Sequence, residues 1–439
     1  MLTEESVRKR RRIVRAPVTP ELLTWARERS QRDPEAFSAK FPKLPEWEDG
    51  SMQPTLRQAE DFARFTYVPF GLLFLDSPPK EELSIPDFRR VAGRKTNRPS
   101  PNLLDTIRIC RERQVWYQDH ALLEKQPRRE FVGSAPVNDL PSEVAIQIGS
   151  IANFDVESRS KMSTWTEALR TFIQGVEKAG ILVMVSGVVE HNRRPLDPAE
   201  SRGFTLSDPI APLIFINGRD SKAAQMYTLA HELGHVWLGG SALSGTDPSR
   251  PHRGLDQVEV WCNAVAGELL VPREDLRGNL RPSEPFSDTV PRLARVFKVS
   301  RQVILRRLLD VGRLDRPDFV KAWEKEIERS VSVRSGAGGD FYRSTIARAG
   351  RRFAEAVTTS TLNGQALYRD AFRMLGIQKT KTFRKPMSVP EDRPFQGRGS
   401  ALQVTVWLLI RQHKALGNAG VGGQGLVGVD EAGALFYPG

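Results

Sequence analysis

The residues best suited to chemistry lie in one short run, Thr228-Leu229-Ala230-His231-Glu232-Leu233-Gly234-His235. Two histidines four positions apart share one face of an α-helix, one turn from each other, where both imidazoles can reach a single zinc ion. Glu232 then lies beside the fourth coordination position, where a carboxylate can serve as general base toward a bound water. The chain has six histidines in 439 residues, so a His-Glu-x-x-His run is expected only about 0.01 times by chance. The bland alternative is a core helix whose histidines merely hydrogen-bond to neighbours. Ala224, Met226, Tyr227, Leu229, Leu233, Val236 and Leu238 make the helix apolar on nearly all sides, so its histidines are expected to be buried and to need partners.

A catalytic zinc commonly takes three protein ligands, and no third histidine follows at close spacing. The donor must be sought downstream, where Gln257 to Pro272 reads as a second buried helix stopped by proline. At about 100° per residue, Glu259, Cys262, Asn263, Ala266 and Leu270 share a face, and Glu268 points roughly the opposite way. Glu259 is therefore the better ligand, with Asp256 one turn earlier and His252 in the preceding loop as competing donors. Asn263, one turn after Glu259, is suited to orienting a ligand from behind.

Around these helices the pattern is mixed. A helix is expected over Trp165 to Lys178, strands over Ile181 to Ser186 and Pro212 to Ile216, and further helices over about 257–270, 287–297 and 300–310. Strands and helices in one unit give an α+β class. The Pro212 to Ile216 strand, leading into the histidine helix, is expected to be a sheet edge able to pair with an extended peptide. Upstream, about 18–88 reads as a string of short helices, opened by Thr19-Pro20, by Asp33-Pro34 and at Thr55. Residues 103–124 read as one long helix.

Composition excludes several classes. With 39% hydrophobic and 27% charged residues the chain is neither wholly disordered nor fibrous. Its densest apolar runs, 180–189 and 404–410, fall short of the ~18 to 20 residues a membrane helix needs, and the start lacks a secretory signal, so a cytoplasmic protein is expected. Cys110 and Cys262 are the only cysteines, which argues for buried reduced thiols and against a disulfide framework or a cysteine-rich zinc site. The net charge of +12 permits an acidic partner such as DNA.

The residues resemble the ImmA/IrrE family of zinc metallo-endopeptidases. The likeness rests on Phe215-Ile216-Asn217, on Thr228 to His235, and on Glu259-Val-Trp-Cys-Asn263-Ala-Val-Ala-Gly-Glu268-Leu-Leu-Val-Pro272, with Val265 where the family often has Phe. It implies a zincin-like domain, a small mixed sheet with zinc-binding helices. It further implies His231, His235 and Glu259 as Zn2+ ligands, Glu232 as the catalytic carboxylate, and a protein substrate, typically a DNA-binding repressor of the Xre type cleaved during stress or mobile-element induction. Trp47-Glu48-Asp49-Gly50 to Pro54-Thr55 is similar to the end of an Xre-type helix-turn-helix domain. The segment that would enter the major groove, Lys43 to Asp49, carries a proline and three acids, which repel phosphate and shorten the helix, leaving DNA binding and protein docking both open.

The expected organisation is a basic tail (1–17), an Xre-like module (18–88), a linker with a connecting helix (89–137), the metallopeptidase domain (138–330), a helical region (331–385) and a Gly-rich stretch without assigned role (386–439). The competing function is an Xre-type regulator or antitoxin-like binding protein in which the zinc site is structural or vestigial.

Overall fold

The computed structural model describes residues 14–79, 99–190, 194–244, 257–331 and 347–376, together with isolated short pieces that include two-residue strand pairs at 90–91 with 94–95 and at 428–429 with 435–436. The chain divides into two compact units, Met1–Ala337 and Gly338–Gly439.

The first unit opens with four helices, α1 (Pro20–Ser30), α2 (Pro34–Lys40), α3 (Leu44–Glu48) and α4 (Leu56–Thr66), followed by a 3-10 turn at Phe70–Phe74. Their starts are written in the sequence. Asp33 accepts the amide of Glu35, and Thr55 and Gln58 close a reciprocal capping box. Thr19 occupies the N-cap of α1 before Pro20 but makes no side-chain capping bond. Phe37, Phe41, Trp47 and Phe62 fill the core between the helices. Val14 and Ala16 pair with Leu56 and Pro54 through the backbone, so the end of the expected basic tail is part of this module. Within Lys43 to Asp49, the segment that would enter a major groove, the helix is only five residues long: Trp47 turns inward, and Glu48 is held by Arg27 at 2.7 Å.

The larger part of the unit is a four-stranded mixed sheet with helices on both faces. Strands β1 (Leu182–Ser186), β2 (Gly203–Leu206), β3 (Leu213–Asn217) and β4 (Ala242–Ser244) lie in the order β1-β3-β2-β4. β1 runs parallel to β3, with Leu182 opposite Leu213 and Ser186 opposite Asn217, while β2 is antiparallel to both β3 and β4. The strand expected as an edge is therefore interior. All five residues of β3 are buried, as a run apolar on both faces must be when helices cover both sides of the sheet. The edges among the described residues are β1 and β4.

Alternation along the strands sorts the two faces. Val183, Ile214 and Ile216 join one continuous core with α6 (Pro141–Ala152), α8 (Trp165–Lys178), α9 (Lys222–Leu238) and α10 (Gln257–Leu270). Met184 faces the other way, its sulfur 3.9 Å from the buried Cys110 thiol of α5 (Pro101–Leu123). Gln114 of α5 donates to the carbonyls of Leu206 and Ala211, so this helix is a layer of the domain and not a free connector. Short α7 (Val156–Ser160) and α11 (Arg273–Gly278), then α12 (Phe286–Val296), α13 (Arg301–Asp310) and α14 (Arg316–Val331) complete the helical side. In the second unit, α15 (Arg351–Leu362) and α16 (Tyr368–Met374) fall within the expected helical region, while most of 386–439 lies outside the described residues.

The N-terminal helices are tied to the sheet domain through buried charge. Asp105 of α5 accepts from Arg194 at 2.5 Å and lies 3.8 Å from Arg29 of α1. Arg29 also reaches the Tyr67 carbonyl, and the Arg194 guanidinium stacks 4.5 Å from the Tyr67 ring centre. One carboxylate thus neutralises two buried guanidiniums from different parts of the chain. Asp105→Asn is expected to destabilise the protein by about 3 kcal/mol, because it removes the carboxylate that the buried Arg194 guanidinium faces at 2.5 Å. Urea unfolding followed by tryptophan fluorescence reads the effect, and an unchanged midpoint would show that the cluster does not hold these parts together.

Candidate metal centre

α9 and α10 carry the site. The Ser221 hydroxyl caps the start of α9 by accepting the Ala224 amide, and Gly239 ends it at φ 74°. The last carbonyls of α9 are taken up by a separate stretch of chain, Gly133 donating to Val236 and Ala135 to Trp237. Glycine is required at 239 for a second reason: a Cβ there would lie 2.8 Å from the Gly133 Cα. Between these ends every residue from Gln225 to Trp237 is buried.

α10 crosses α9 at Gly234. A Cβ on Gly234 would meet Cys262 at 3.1 Å from Sγ and 3.2 Å from Cα, so the missing side chain is what lets the two helices approach this closely. That approach brings His231, His235 and Glu259 together, each nearly inaccessible to solvent. Glu259 Oε1 is 3.0 Å from His235 Nε2, Glu259 Oε2 is 3.4 Å from His231 Nε2, and the two Nε2 atoms are 3.2 Å apart. Three donors arranged tetrahedrally about one zinc at ~2.05 Å would be roughly 3.3 Å from one another. Two imidazole nitrogens and one carboxylate, converging near that spacing, could hold a divalent transition ion.

Behind His231, Nδ1 faces Asn263 Oδ1 at 3.1 Å, and the Tyr227 hydroxyl donates to the same oxygen at 2.9 Å. Glu232 lies on the other flank, toward the sheet. The Thr205 hydroxyl of β2 donates to Glu232 Oε2 at 2.8 Å, while Oε1 is buried without a hydrogen-bond partner among the described residues. Gly203, two positions earlier on the same strand, lets the strand pack closely here: a Cβ would meet the Thr228 methyl at 2.5 Å, the Phe215 carbonyl at 2.8 Å and Glu232 Oε1 at 3.3 Å. One oxygen of Glu232 is thus fixed and the other remains available to accept a proton.

The electrostatics follow from burial. Burial raises the Glu232 pKa, against the opposing pull of His235, His231 and the Thr205 hydrogen bond. For Glu259 burial acts in the same sense, but the charges and hydrogen bonds of His231 and His235 prevail and hold it well below the ordinary carboxylate range. His231 is raised: burial would lower it, and the neighbouring Glu259 more than offsets this. Burial, reinforced by Glu259 and Glu232, drives the Cys262 thiol far up, which leaves it an inert packing group.

Four of the expected residues, His231, His235, Glu259 and Asn263, meet in one cluster with Glu232 at its side. Glu268 points away, held by Arg307 at 2.8 Å and Arg273 at 2.9 Å. Asp256 and His252 lie outside the described residues. Asn217 is not at the metal centre: its amide donates to the Ser201 carbonyl and its oxygen caps the Arg219 amide, shaping the turn into α9. Thr205 and Tyr227 are not among the residues that motif and spacing single out. Tyr227 does carry a signal, since it precedes His231 by four positions on the same helical stripe. Thr205, in a four-residue strand far along the chain, gives none.

If the triad is a metal centre, one divalent ion per chain stabilises the fold by mass action, about 2.7 kcal/mol at a hundredfold excess over the dissociation constant. Zn2+ titration of the chelator-treated protein, followed by thermal melting, is expected to raise the midpoint until one equivalent is bound. The same rise in Glu259→Ala would rule out this ligand set.

Comparison with known proteins agrees with the geometry. Residues 177–309, which contain His231, Glu232, His235 and Glu259, match the profile of a peptidase family described as the IrrE N-terminal-like domain. Residues 349–387 match a domain of unknown function. Among characterised proteins the chain is similar to the radiation response metalloprotease IrrE of Deinococcus radiodurans, with 32% identity over 106 residues, 24% of this chain and 32% of the relative. The chain thus spans about a third of the length of that relative. The buried His-His-Glu triad thus lies within the stretch, residues 177–309, that is similar to a peptidase domain of the IrrE N-terminal-like type.

Proposed function

We propose that the protein is a zinc-dependent endopeptidase, with zinc held by His231, His235 and Glu259. The observation that carries this reading is Glu232, whose Oε1 is buried and unengaged beside the triad while Oε2 is tied to Thr205. When bound, zinc supplies Lewis acidity toward the scissile carbonyl and lowers the pKa of a water. Glu232 Oε1 takes the proton of that water and later delivers it to the leaving amine. Its burial raises the pKa toward the range in which a carboxyl can perform both transfers. The Thr205 hydrogen bond keeps the carboxylate from turning, so one oxygen serves both steps.

The strand proposed to receive substrate is β4 and not β3, because β4 pairs only with β2 among the described residues and so ends the sheet on that side. An extended peptide adding there would run beside the strand pair that fixes Glu232. The substrate class proposed is a DNA-binding regulator of the Xre type, cleaved in the cytoplasm in a stress or mobile-element response. The supports are the family likeness and an N-terminal helical module with an acidic, five-residue α3, which favours docking of protein over reading of DNA. No helix among the described residues is long and apolar enough to cross a membrane.

The test is incubation of the metal-loaded chain with the regulator encoded beside it. Glu232→Gln, which keeps the shape of the side chain but cannot take a proton, is expected to lower the cleavage rate by at least roughly a hundredfold. Bound zinc stays at one equivalent. Undiminished cleavage by that variant would overturn the mechanism.

A further inference from the structure

Tyr227 and Asn263 form a pair behind the metal ligands that the hydrolytic chemistry does not use. Tyr227 and His231 lie one turn apart on α9, and Glu259 and Asn263 one turn apart on α10, so the four side chains face each other as two matched helical steps. Asn263 Oδ1 receives both the Tyr227 hydroxyl at 2.9 Å and His231 Nδ1 at 3.1 Å. This orientation of the amide has a chemical consequence. An oxygen opposite Nδ1 requires the proton on Nδ1, which leaves the Nε2 lone pair free for a metal. The reversed amide would present an N–H to Nδ1, move the proton to Nε2 and block coordination.

Histidine alone does not choose between the two, because each amide orientation matches one of its tautomers. The phenol does choose. Tyr227 is nearly fully buried, and the bond to Asn263 is the hydrogen bond the structure gives its hydroxyl among the described residues. With the oxygen facing it, the phenol donates. With the amide reversed, its O–H would be a buried donor without an acceptor, the costlier arrangement. Burial also pushes the phenol pKa up, so the proton stays available for donation.

Resting on the metallopeptidase reading, we propose that Tyr227 is a positioning residue for the metal centre. Its hydroxyl locks the Asn263 amide, and the amide in turn sets His231 in the tautomer that binds zinc.

The experiment measures Zn2+ affinity of the full chain by competition with a chromophoric chelator. Tyr227→Phe is compared with wild type in three backgrounds, native, Asn263→Asp and Asn263→Ala. In the native background, loss of the hydroxyl is expected to weaken zinc binding roughly tenfold, the usual scale for a partner of a ligand. In the Asp background both oxygens accept, so there is no amide to orient. In the Ala background the amide is gone. In both, Tyr227→Phe is expected to change affinity by less than about twofold. Equal losses in all three backgrounds would make Tyr227 a packing residue and overturn the proposal, as would unchanged affinity in the native background. Failure of the wild-type chain to bind zinc would instead overturn the metallopeptidase reading itself, and is seen before any variant is compared.

Discussion

The structure turns on one difficult placement: two imidazoles and two carboxylates inside the contact between α9 and α10, almost without access to water. Charged groups in such a position are unfavourable unless each finds a partner at close range. Here the distances among His231, His235 and Glu259 are all between 3.0 and 3.4 Å, which is possible only because the helices approach at Gly234. Any larger residue there would separate the helices and spread the donors. The polar cluster therefore depends on an apolar contact next to it, and the specificity of the site is bound up with the packing density of the core.

Holding two helices at so close a distance makes demands on their ends. α9 is anchored at its start by Ser221 and at its finish by the backbone of residues 133–135. α10 finishes against cations: Arg159 donates to the Leu270 carbonyl and Arg307 to that of Val271. Positive charge at a helix C-terminus is favourable in itself. Glu268, which the sequence places on the face away from the metal ligands, completes this arrangement by pairing with Arg307. A carboxylate that matches a family pattern can thus belong to the scaffold and not to the chemistry.

Much of the site is legible in the sequence because helices impose a strict geometry. Four-residue spacing puts His231 and His235 on one face, and the same periodicity alone separates Glu259 from Glu268. What is not legible depends on partners distant in sequence. The apolar run at 212–216 is expected at an edge, but its residues do not say what lies on either side, and the strand it forms is central. Thr205 belongs to a strand of four residues whose importance arises only when β2 lies against α9. The N-terminal helices are visible through their prolines and caps, whereas the Asp105 cluster joining them to the sheet domain involves residues 29, 105 and 194, with no local pattern to announce it.

The backbone contact between Gly133 and Gly239 has a consequence for where this domain begins. The stretch recognised by kinship starts at residue 177, yet the carbonyls that end its central helix are satisfied by residues 133 and 135, and its sheet is covered on one face by a helix that starts at 101. Excised at residue 177, the matched stretch would leave the Trp237 carbonyl without the Ala135 amide and a sheet face stripped of its covering layer. Sequence likeness and packing draw different borders on this chain, and the layer that covers the sheet begins 76 residues before the matched stretch (177 − 101).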